Sequence, residues 1–332
     1  MDAQVLIIGA GVSGLMAANV LKAAGVEVLV VDKGRSVGGR MATRRIQQGA
    51  ADHGAQFFTV RTAQFQSYVD QWLAEGLVRV WGYGWSDGSL KRTAGDGHPR
   101  YVVNGGMNAL TVHLAKGIQT RVNVEVSRVE WTGTHWLASY GDTQAVTARH
   151  LLLTPPVPQS LNLLRKGAVP LAESDVAALE KIEYGPCLCG MFVVEGTVDL
   201  PEPGAVQDLS RPIYWIADNQ RKGISAQRVL TVHAEARYSR DHYNDADDAV
   251  LDYMMEALRP YFEGEVTVIE AQLKRWRYSV PIITHPYDYL AAQGLPLVFA
   301  GDAFGGRGRV EGAFISGLMA GDHLIQANLA AP

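Results

Sequence analysis

The opening segment of the chain constrains the fold more than any other part, because it has the order strand, glycine turn, helix, strand. The apolar run Val5–Ile8 leads into Gly9-Ala10-Gly11-Val12-Ser13-Gly14, and apolar residues then recur at helical spacing over Gly11–Ala24. A second run rich in β-branched residues, Val28–Val31, ends at Asp32. This order predicts a βαβ unit whose two parallel strands are buried on both faces.

The glycines of this turn have the Gly-x-Gly-x-x-Gly spacing that is typical of a pyrophosphate-binding turn. Gly9 would make the turn, Gly11 would leave room for a phosphate, and Gly14 would let the helix pack closely on the strand. The Asp32 carboxylate can accept hydrogen bonds from the hydroxyls of an unphosphorylated adenosine ribose. The pattern predicts a bound dinucleotide without separating FAD from NAD, and a tight turn without a ligand is the plain alternative.

Later segments alternate between helical and strand patterns. Helices are predicted over Ala63–Glu75, Leu110–Lys116, Asp175–Ile182, Ala246–Tyr261 and Gly312–Leu329. Strands are predicted over Val122–Val129, His135–Tyr140, Ala145–Leu153, Leu188–Val194, Val229–Ala236, Val266–Trp276 and Leu297–Ala300. The Trp- and Gly-rich region that ends at Arg100 is expected to form a hairpin or a loop excursion. Because the last strand, turn and helix repeat the opening order, we expect the C-terminus to return to the first domain.

Composition argues against several classes of partner. The 332 residues are 47% hydrophobic with a formal net charge of −4, which does not favour a nucleic-acid or anionic-membrane surface. No run approaches the roughly 20 apolar residues that span a bilayer. Met1–Gln4 carries no basic segment ahead of an apolar stretch, so we expect a cytoplasmic protein. Cys187 and Cys189 are expected to be small buried side chains, with a redox dithiol as the alternative, and no metal site is expected.

Asp32 and the segment Gly38-Gly39-Arg40-Met41 resemble the Glu/Asp-x₅-Gly-Gly-Arg element of the flavin amine oxidase superfamily. The resemblance implies that Arg40 neutralises the pyrophosphate of FAD, which favours FAD over NAD. A plain surface cation is the alternative for Arg40.

The C-terminal segments Gly301-Asp302-Ala303 and Arg309-Val310-Glu311-Gly312-Ala313-Phe314-Ile315-Ser316-Gly317 resemble the second flavin element of the same superfamily. The resemblance implies that Asp302 binds the ribityl chain. It also implies that helix N-terminal amides at 310–313 face the O2 region of the flavin and stabilise the negative charge of the reduced ring. Asp302 and Glu311 could instead be simple surface acids.

Further segments spread over nearly the whole chain resemble the renalase family, most closely the bacterial renalases: Asp52-His53-Gly54-Ala55-Gln56-Phe57-Phe58, Trp215-Ile216-Ala217-Asp218-Asn219, Val232-His233-Ala234, Arg275-Trp276-Arg277-Tyr278 and Gly308–Ala313. The resemblance implies noncovalent FAD and oxidation of the 2- and 6-dihydro isomers of NAD(P)H to NAD(P)⁺, with O₂ reoxidising the flavin to give H₂O₂. Loss of a hydride from ring carbon 2 or 6 restores an aromatic pyridinium, so no side chain has to deprotonate the substrate. No Cys lies near Arg307–Arg309, where covalent relatives link the flavin.

The resemblance also implies site residues. It places Gln56 and His233 in the flavin-facing pocket, and it places Tyr214, Asn219 and Trp276 around the dihydropyridine. For each of these residues an ordinary structural role is the alternative, such as core packing for His233 and Trp276. The residues expected to bind FAD are Gly9, Ala10, Gly11, Val12, Ser13, Gly14, Asp32, Lys33, Gly39, Arg40, Met41, Ala55, Gln56, Phe57, Val126, Thr154, Gly301, Asp302, Arg309, Val310, Glu311, Gly312 and Ala313.

The expected fold is α/β, with a Rossmann-like FAD-binding domain of the glutathione-reductase and p-hydroxybenzoate-hydroxylase type and a mixed-sheet α+β substrate domain. The FAD-binding domain is expected to be discontinuous, with residues 1–75, 101–158 and 290–332, and the substrate domain to comprise residues 76–100 and 159–289. The expected partners are a dihydronicotinamide nucleotide and O₂, with no nucleic acid and no membrane.

Two other functions stay open. An amine oxidase or related desaturase would use the same flavin domain, and Tyr214, Trp215, Trp276 and Tyr278 could form its aromatic cage. A flavin-binding protein without turnover is the third possibility, although intact pyrophosphate, ribityl and flavin-ring elements favour a working redox cofactor. The sequence departs from the renalase pattern at Phe57-Phe58, which lacks a tyrosine after the Gln, and at Lys274; these departures leave the substrate preference open.

Overall fold

The computed structural model describes residues 1–87, 97–208 and 212–329, with side chains through residue 327. Its helices are α1 (Val12–Ala23), α2 (Ala63–Ala74), α3 (Asn108–Leu114), α4 (Val157–Lys166), α5 (Glu173–Glu180), α6 (Ala236–Asp241), α7 (Asp247–Leu258) and α8 (Arg309–Leu329). Its strands are β1 (Ala3–Ile8), β2 (Val28–Val31), β3 (Thr43–Ile46), β4 (Gly49–Asp52), β5 (Val78–Gly82), β6 (Arg100–Val103), β7 (Thr120–Arg121), β8 (Val126–Trp131), β9 (Trp136–Tyr140), β10 (Gln144–Leu153), β11 (Glu183–Val198), β12 (Ala205–Gln207), β13 (Ile213–Asp218), β14 (Val229–Ala234), β15 (Phe262–Ile283), β16 (Leu290–Ala291) and β17 (Leu297–Phe299). Short 3-10 helices cover Gly39–Met41 and Arg259–Tyr261.

The chain divides into two compact units. The first unit comprises Met1–Arg40, Leu110–Glu183 and Pro281–Pro332, and the second comprises Met41–Ala109 and Tyr184–Val280. Both units are therefore discontinuous in sequence.

The first unit is built on one sheet with the strand order β16-β17-β10-β1-β2-β7, to which β9 and β8 add beside β10. Strand β1 pairs in parallel with β2 and β10, and β10 pairs in parallel with β17. The predicted βαβ unit and the return of the C-terminal strand to the first domain are confirmed. Helices α1 and α8 pack closely, since a Cβ at Gly317 would lie 2.1 Å from the Ser13 carbonyl oxygen.

The second unit holds a five-stranded sheet with the order β12-β13-β14-β11-β15, and two hairpins, β3 with β4 and β5 with β6. Side chains alternate between the two faces of a strand, and β14 shows this directly. Leu230 and Val232 pack in a core with Met254 of α7. Val229 packs on the other face with Ala51 of the β3-β4 hairpin. That hairpin-facing side of the sheet also carries His233.

The predicted domain boundaries differ from the compact units. Residues 41–75 and 101–109, expected in the FAD-binding domain, belong to the second unit, and residues 159–183 and 281–289 belong to the first. The reason is long-range packing, because the β3-β4 hairpin lies against β14 and α4 packs against β8. Local sequence pattern carries no information about either contact.

Most predicted elements are present, and the differences lie at their ends. Strands β11 and β15 extend beyond their predicted ranges at both ends, and the strand predicted over Val122–Val129 begins only at Val126, after Asn123 with φ of 56°. Helix α8 begins at Arg309, three positions before the predicted start. The predicted hairpin is confirmed by the antiparallel pairing of β5 and β6, while residues 88–96 lie outside the described part.

Cys187 and Cys189 lie on β11 as free thiols, and burial raises the pKa of Cys187 to about 12 and that of Cys189 well above its usual value. They match the prediction of small buried side chains. In the part of the chain that the structure describes, no helix is long and apolar enough to cross a membrane.

Candidate functional site

The glycine turn of the first unit connects β1 to α1. Gly9 has φ of 108°, and a Cβ at this position would lie 2.3 Å from Thr154 Oγ1. A Cβ at Gly14 would lie 2.0 Å from the Gly9 carbonyl oxygen. The Thr154 hydroxyl donates to the carbonyl oxygens of Ile8 and Gly9, at 3.0 Å each. The protein's own packing therefore requires glycine at positions 9 and 14.

Gly11 has a different environment from the other two glycines. A Cβ there would meet no heavy atom within 4 Å, so protein packing does not explain this glycine. Gly11 is the N-cap of α1, whose first turn has neither a side-chain cap nor an acidic residue. In the same turn, Ser13 Oγ is buried without a hydrogen-bond partner among the described residues. Free N–H groups, open space and a buried hydroxyl fit the pyrophosphate of FAD.

Asp32 follows β2 and is held by the backbone of the turn. Its carboxylate accepts hydrogen bonds from the N–H groups of Ala10 at 2.7 Å and Gly34 at 2.6 Å. Each carboxylate oxygen keeps acceptor capacity beyond one hydrogen bond, so Asp32 can still bind ribose hydroxyls. The N–H of Gly38 donates to the Ala10 carbonyl at 2.9 Å, which brings the Gly-Gly-Arg segment to the turn. The side chain of Lys33 is exposed.

Arg40 and Asp302, which are 262 positions apart, form a bidentate ion pair with two hydrogen bonds of 2.7 Å. The Asp302 side chain is 10% exposed and that of Arg40 27%. The resemblance implies that Arg40 binds the pyrophosphate and Asp302 the ribityl chain, and the structure joins these two residues directly. The pair engages two of the five N–H donors of the guanidinium.

The C-terminal flavin element consists of the turn after β17 and the start of α8. The N–H of Gly301, which has φ of 144°, donates to Ser316 Oγ at 2.8 Å. Arg309, at the start of α8, has φ of 63°, a conformation that is unfavourable for a residue with a side chain. Glu311 is buried in the first turn of the helix, where its charge interacts favourably with the helix dipole.

The other residues expected to bind FAD are divided between the units. Val126 is the first residue of β8 in the first unit, whereas Met41, Ala55, Gln56 and Phe57 belong to the second unit.

The residues expected around the substrate all belong to the second unit. Gln56 follows β4, Tyr214 lies on β13, Asn219 follows β13, His233 lies on β14 and Trp276 lies on β15. The rings of Tyr214 and His233 have centroids 6.3 Å apart.

The backbone carbonyl of His53 contacts one of these residues. Trp276 Nε1 donates to it at 2.7 Å. The His53 and Trp276 rings stack with centroids 5.3 Å apart and an interplanar angle of 18°. Burial lowers the pKa of His53 to about 4 and that of His233 to about 3. Both imidazoles are therefore neutral near pH 7.

Gln56 presents an acceptor. Its Nε2 donates to the carbonyl oxygens of Asp52 at 2.6 Å and Gly54 at 3.2 Å, which fixes the orientation of the amide. Its Oε1 is buried and has no hydrogen-bond partner among the described residues, and the same holds for Nε2 of His233. These buried polar atoms fit a polar ligand.

Asn219 contacts the protein rather than an open site. Its Nδ2 donates to the Val229 carbonyl at 2.8 Å and to Thr231 Oγ1 at 2.9 Å, and its Oδ1 accepts from the Asp52 N–H at 3.3 Å. The Thr231 hydroxyl in turn donates to the Asp52 carbonyl at 3.0 Å. These contacts involve both ends of the amide, so Asn219 braces the Asp52 segment against β14, and its substrate contact stays a prediction.

A fully buried ion pair between Lys222 and Asp52 was missed by the sequence analysis. Lys222 Nζ lies 2.7 Å from Asp52 Oδ2, and both side chains are 0% exposed. Asp52 Oδ1 also accepts from Thr43 Oγ1 at 2.5 Å and from the Met107 N–H at 2.9 Å. Burial lowers the pKa of Lys222, and the Asp52 carboxylate opposes that shift. No local pattern marks Lys222, because a lysine after a strand is ordinarily on the surface.

An aromatic cluster of Phe57, Trp81, Trp85 and Trp215 lies in the same unit. Phe57 has ring centroids 5.0 Å from Trp85 and 5.4 Å from Trp215, and Trp81 and Trp85 are 4.7 Å apart. Nε1 of Trp85 and Nε1 of Trp215 are buried without a partner among the described residues. The cluster therefore offers flat apolar surfaces and two indole N–H donors.

Two half-buried cations lie near the stacked His53 and Trp276 rings. Arg44 donates to the Gln272 amide oxygen at 2.7 Å, and Lys274 Nζ lies 5.0 Å from the centroid of the Trp276 ring. Both positive charges help to lower the pKa of His53. Two positive charges therefore act on the stacked rings, and the Glu270 carboxylate accepts a hydrogen bond from the same Gln272 amide at 2.6 Å.

A separate cavity of about 250 Å³ in the second unit is lined by residues that include Ile213, Tyr253 and Tyr261. Of the residues expected around the substrate, it contains Tyr214 alone in its lining. We do not assign the candidate site to this cavity.

Two protein-family profiles match the chain. The family described as flavin containing amine oxidoreductase matches residues 77–325, and the NAD(P)-binding Rossmann-like domain matches residues 7–72. Among solved structures, a putrescine oxidase bound to putrescine is similar over 98% of this chain and 99% of its own, with a TM-score of 0.71 at 15% identity. A protein from Exiguobacterium sp. 255-15, provisionally assigned as a protoporphyrinogen oxidase, is similar over the same shares, with a TM-score of 0.72 at 12% identity.

At these identities the solved structures show the fold, whereas the family match covers most of the chain. The fold matches the predicted α/β class with a Rossmann-like dinucleotide-binding domain. The chain belongs to the flavin containing amine oxidoreductase family and is an FAD-dependent oxidoreductase.

Proposed function

We propose that the protein oxidises the 2- and 6-dihydro isomers of NAD(P)H to NAD(P)⁺ with noncovalently bound FAD, as its resemblance to the renalases implies. The observation that carries the proposal is the polar and electrostatic character of the candidate substrate-site residues in the second unit. Neutral histidines, buried amide and indole groups and half-buried cations suit a nicotinamide nucleotide, which has a flat ring with a carboxamide and also carries phosphates. They suit a cationic amine less well.

Hydrogen-bonding capacity supports a nicotinamide. A carboxamide has two N–H donors and one carbonyl acceptor, and the dihydropyridine ring is flat and uncharged. The second unit offers the buried Gln56 Oε1 as an acceptor and the buried Nε1 atoms of Trp85 and Trp215 as donors. Aromatic faces around them can stack on the ring.

The reaction needs little proton transfer by side chains of the protein. When bound, FAD supplies the two-electron acceptor for the substrate and passes the electrons on to O₂. Because the nicotinamide product is a pyridinium cation, an imidazolium in the site would repel it. The low pKa values of His53 and His233, about 4 and about 3, keep both rings neutral. Their role is to accept hydrogen bonds and to pack, so catalysis is mainly positioning.

Residues of the first unit hold the cofactor in this proposal. The turn around Gly11 and Ser13 binds the pyrophosphate, Asp32 binds the adenosine ribose, and Arg40 with Asp302 binds the pyrophosphate and ribityl region. The open space at Gly11 and the unpartnered Ser13 hydroxyl support this assignment.

The charged side chains near the candidate site favour a nucleotide over an amine as the substrate. Arg44 and Lys274 attract the phosphates of a nucleotide and repel a protonated amine. An amine cation would find the nearby Asp52 carboxylate already paired with Lys222. The second candidate function, an amine oxidase, is favoured by the aromatic cluster of Phe57, Trp81, Trp85 and Trp215, which could hold a neutral amine or alkyl chain.

Product analysis tests the proposal. Purified FAD-loaded protein is incubated in air with 6-dihydro-NAD, 2-dihydro-NAD, ordinary NADH and a panel of mono- and diamines. We expect NAD⁺ and H₂O₂ in equal amounts from the two isomers and little H₂O₂ from the amines. H₂O₂ and aldehyde from an amine, with none from the isomers, would establish the amine oxidase instead.

A further inference from the structure

We propose that the buried Asp52–Lys222 pair is a positioning device for the substrate site, which anchors the Gln56 side chain and the strand that carries His233. The inference rests on the proposed function only in treating Gln56 and His233 as substrate-site residues. Lys222 and Asp52 act through those side chains and are positioning residues.

The first step is the anchoring of Asp52. Its carboxylate is held by three donors from different segments: Lys222 Nζ at 2.7 Å, Thr43 Oγ1 at 2.5 Å and the Met107 N–H at 2.9 Å. Its own N–H is bound by the Asn219 side chain at 3.3 Å. Few residues in a protein have both the side chain and the backbone fixed in this way.

The second step leads from Asp52 to Gln56. The Asp52 carbonyl accepts from Gln56 Nε2 at 2.6 Å. Because Nε2 of Gln56 donates to two backbone carbonyls, the amide is held in one orientation and Oε1 points in one direction. The anchored carbonyl of Asp52 thus determines where the acceptor of Gln56 lies.

The third step leads from Asp52 to β14. The same carbonyl accepts from Thr231 Oγ1 at 3.0 Å. Thr231 and His233 are two positions apart on β14, so they lie on the same face of the sheet. The backbone that carries His233 is therefore fixed to the segment that carries Gln56.

The fourth step is electrostatic. The Lys222 ammonium is one of the charges that lower the pKa of His233, and burial of the ring contributes more. The charges of His53 and Lys222 act on His233, and the titratable Tyr214 ring lies 6.3 Å from its ring. A neutral His233 keeps an acceptor nitrogen and does not repel a cationic product.

Stability alone is a poor explanation for this pair. Removing two charges from water is costly, and replacing a buried ion pair by well-packed neutral residues is often neutral or stabilising. If the pair served stability alone, neutral residues could replace it, whereas its hydrogen bond and its charges require these two residues.

The experiment compares two double variants of the FAD-loaded protein. Asp52→Asn with Lys222→Met removes the buried charges at similar volume. Glu256→Gln with Arg259→Met is the control for loss of an ion pair, because this pair, 2.9 Å apart, also lies in the second unit and stands outside the turn that carries Asn219 and Lys222. Histidine ¹⁵N spectra over a pH series report the His233 ring, and hydrogen exchange of the Gln56 side-chain amide reports its anchoring. A Gln56→Glu variant assigns the amide signal.

In the Asp52→Asn/Lys222→Met variant we expect the titration midpoint of His233 to rise by roughly one unit. We also expect Gln56 amide exchange to be about tenfold faster, while the control variant shows neither change. An unchanged midpoint with unchanged exchange, in a folded double variant, would overturn the proposal.

Two further measurements keep the inference testable if the double variant does not fold. In the unaltered holoenzyme, His233 must stay neutral down to about pH 4, because its pKa is about 3; a midpoint near 6 would overturn the charge argument. Thr43→Val removes one anchor of Asp52 and should speed Gln56 exchange several-fold without unfolding the protein; unchanged exchange would overturn the positioning argument. None of these readouts needs a substrate, so a failed oxidation assay would refute the proposed function without touching this inference.

Discussion

Acid should destabilise this protein through buried histidines, of which His53 and His233 have the largest pKa shifts. In the folded state the pKa is about 3 for His233 and about 4 for His53, against 6.5 for an ordinary histidine. The unfolded chain therefore binds protons that the folded chain does not, and stability falls as the pH drops below about 6.5. Between pH 7 and pH 5 each of these two histidines should lower the free energy of unfolding by about 2 kcal/mol, or about 4 kcal/mol together. The loss should level off near the folded pKa values.

The variant His233→Asn isolates one of these two contributions. We expect the difference in unfolding free energy between pH 7 and pH 5 to be about 2 kcal/mol smaller in this variant than in the unaltered protein. Urea unfolding of the FAD-loaded protein, followed by tryptophan fluorescence, measures this difference at each pH.

Cys189→Ala is the matched control, because Cys189 lies opposite His233 on the neighbouring strand β11. Its thiol is neutral at both pH values, since burial raises its pKa further. The control should lower stability equally at pH 7 and pH 5. If His233→Asn leaves the pH difference as large as it is in the unaltered protein, His233 is not held neutral in the folded state and the reasoning fails.

Three further predictions concern the cofactor and the substrate. Gly11→Ala should fold normally and bind FAD at least tenfold more weakly. Gly14→Ala should be destabilised by about 3 kcal/mol or more, because a Cβ at position 14 would lie 2.0 Å from a backbone oxygen. Flavin absorbance and thermal unfolding distinguish the two variants, and equal behaviour would contradict the assigned roles. Arg44→Gln and Lys274→Gln should each raise KM for 6-dihydro-NAD about three- to tenfold with little change in kcat. Both variants should leave KM for the phosphate-free dihydronicotinamide riboside unchanged. Equal effects on both substrates would rule out a phosphate contact. Acid precipitation should release the flavin into the supernatant, and a yellow pellet would show a covalent link.

The first unit was largely predictable because its signals are local. The apolar runs of β1 and β2, the glycine spacing between them and the acid after β2 stand within one short segment. Steric facts bear out that spacing, since a Cβ at Gly9 or Gly14 would collide with neighbouring atoms. The ends of elements were less predictable, as β15 shows, because half-exposed strand ends lack an alternating pattern.

The candidate substrate site was only partly predictable because its connections are long-range. The segment that carries Gln56 and the strand that carries His233 were both singled out. The contacts between them pass through Asp52 and Thr231, which are 179 positions apart, and Asp52 is in turn paired with Lys222, 170 positions away. Burial of a lysine depends on the whole sheet around it, and no spacing rule reports it. Asn219 was assigned to the substrate by resemblance alone, and its hydrogen bonds to Val229, Thr231 and Asp52 could not be predicted from the sequence.

Anaerobic stopped-flow absorbance tests the central claim most directly. The FAD-loaded protein is mixed with 6-dihydro-NAD, with ordinary NADH or with amines, and bleaching of the long-wavelength flavin band is followed. We expect fast bleaching by the 6-dihydro isomer and much slower bleaching by NADH and by amines. Bleaching by an amine, with none by the 6-dihydro isomer, would contradict the proposed function.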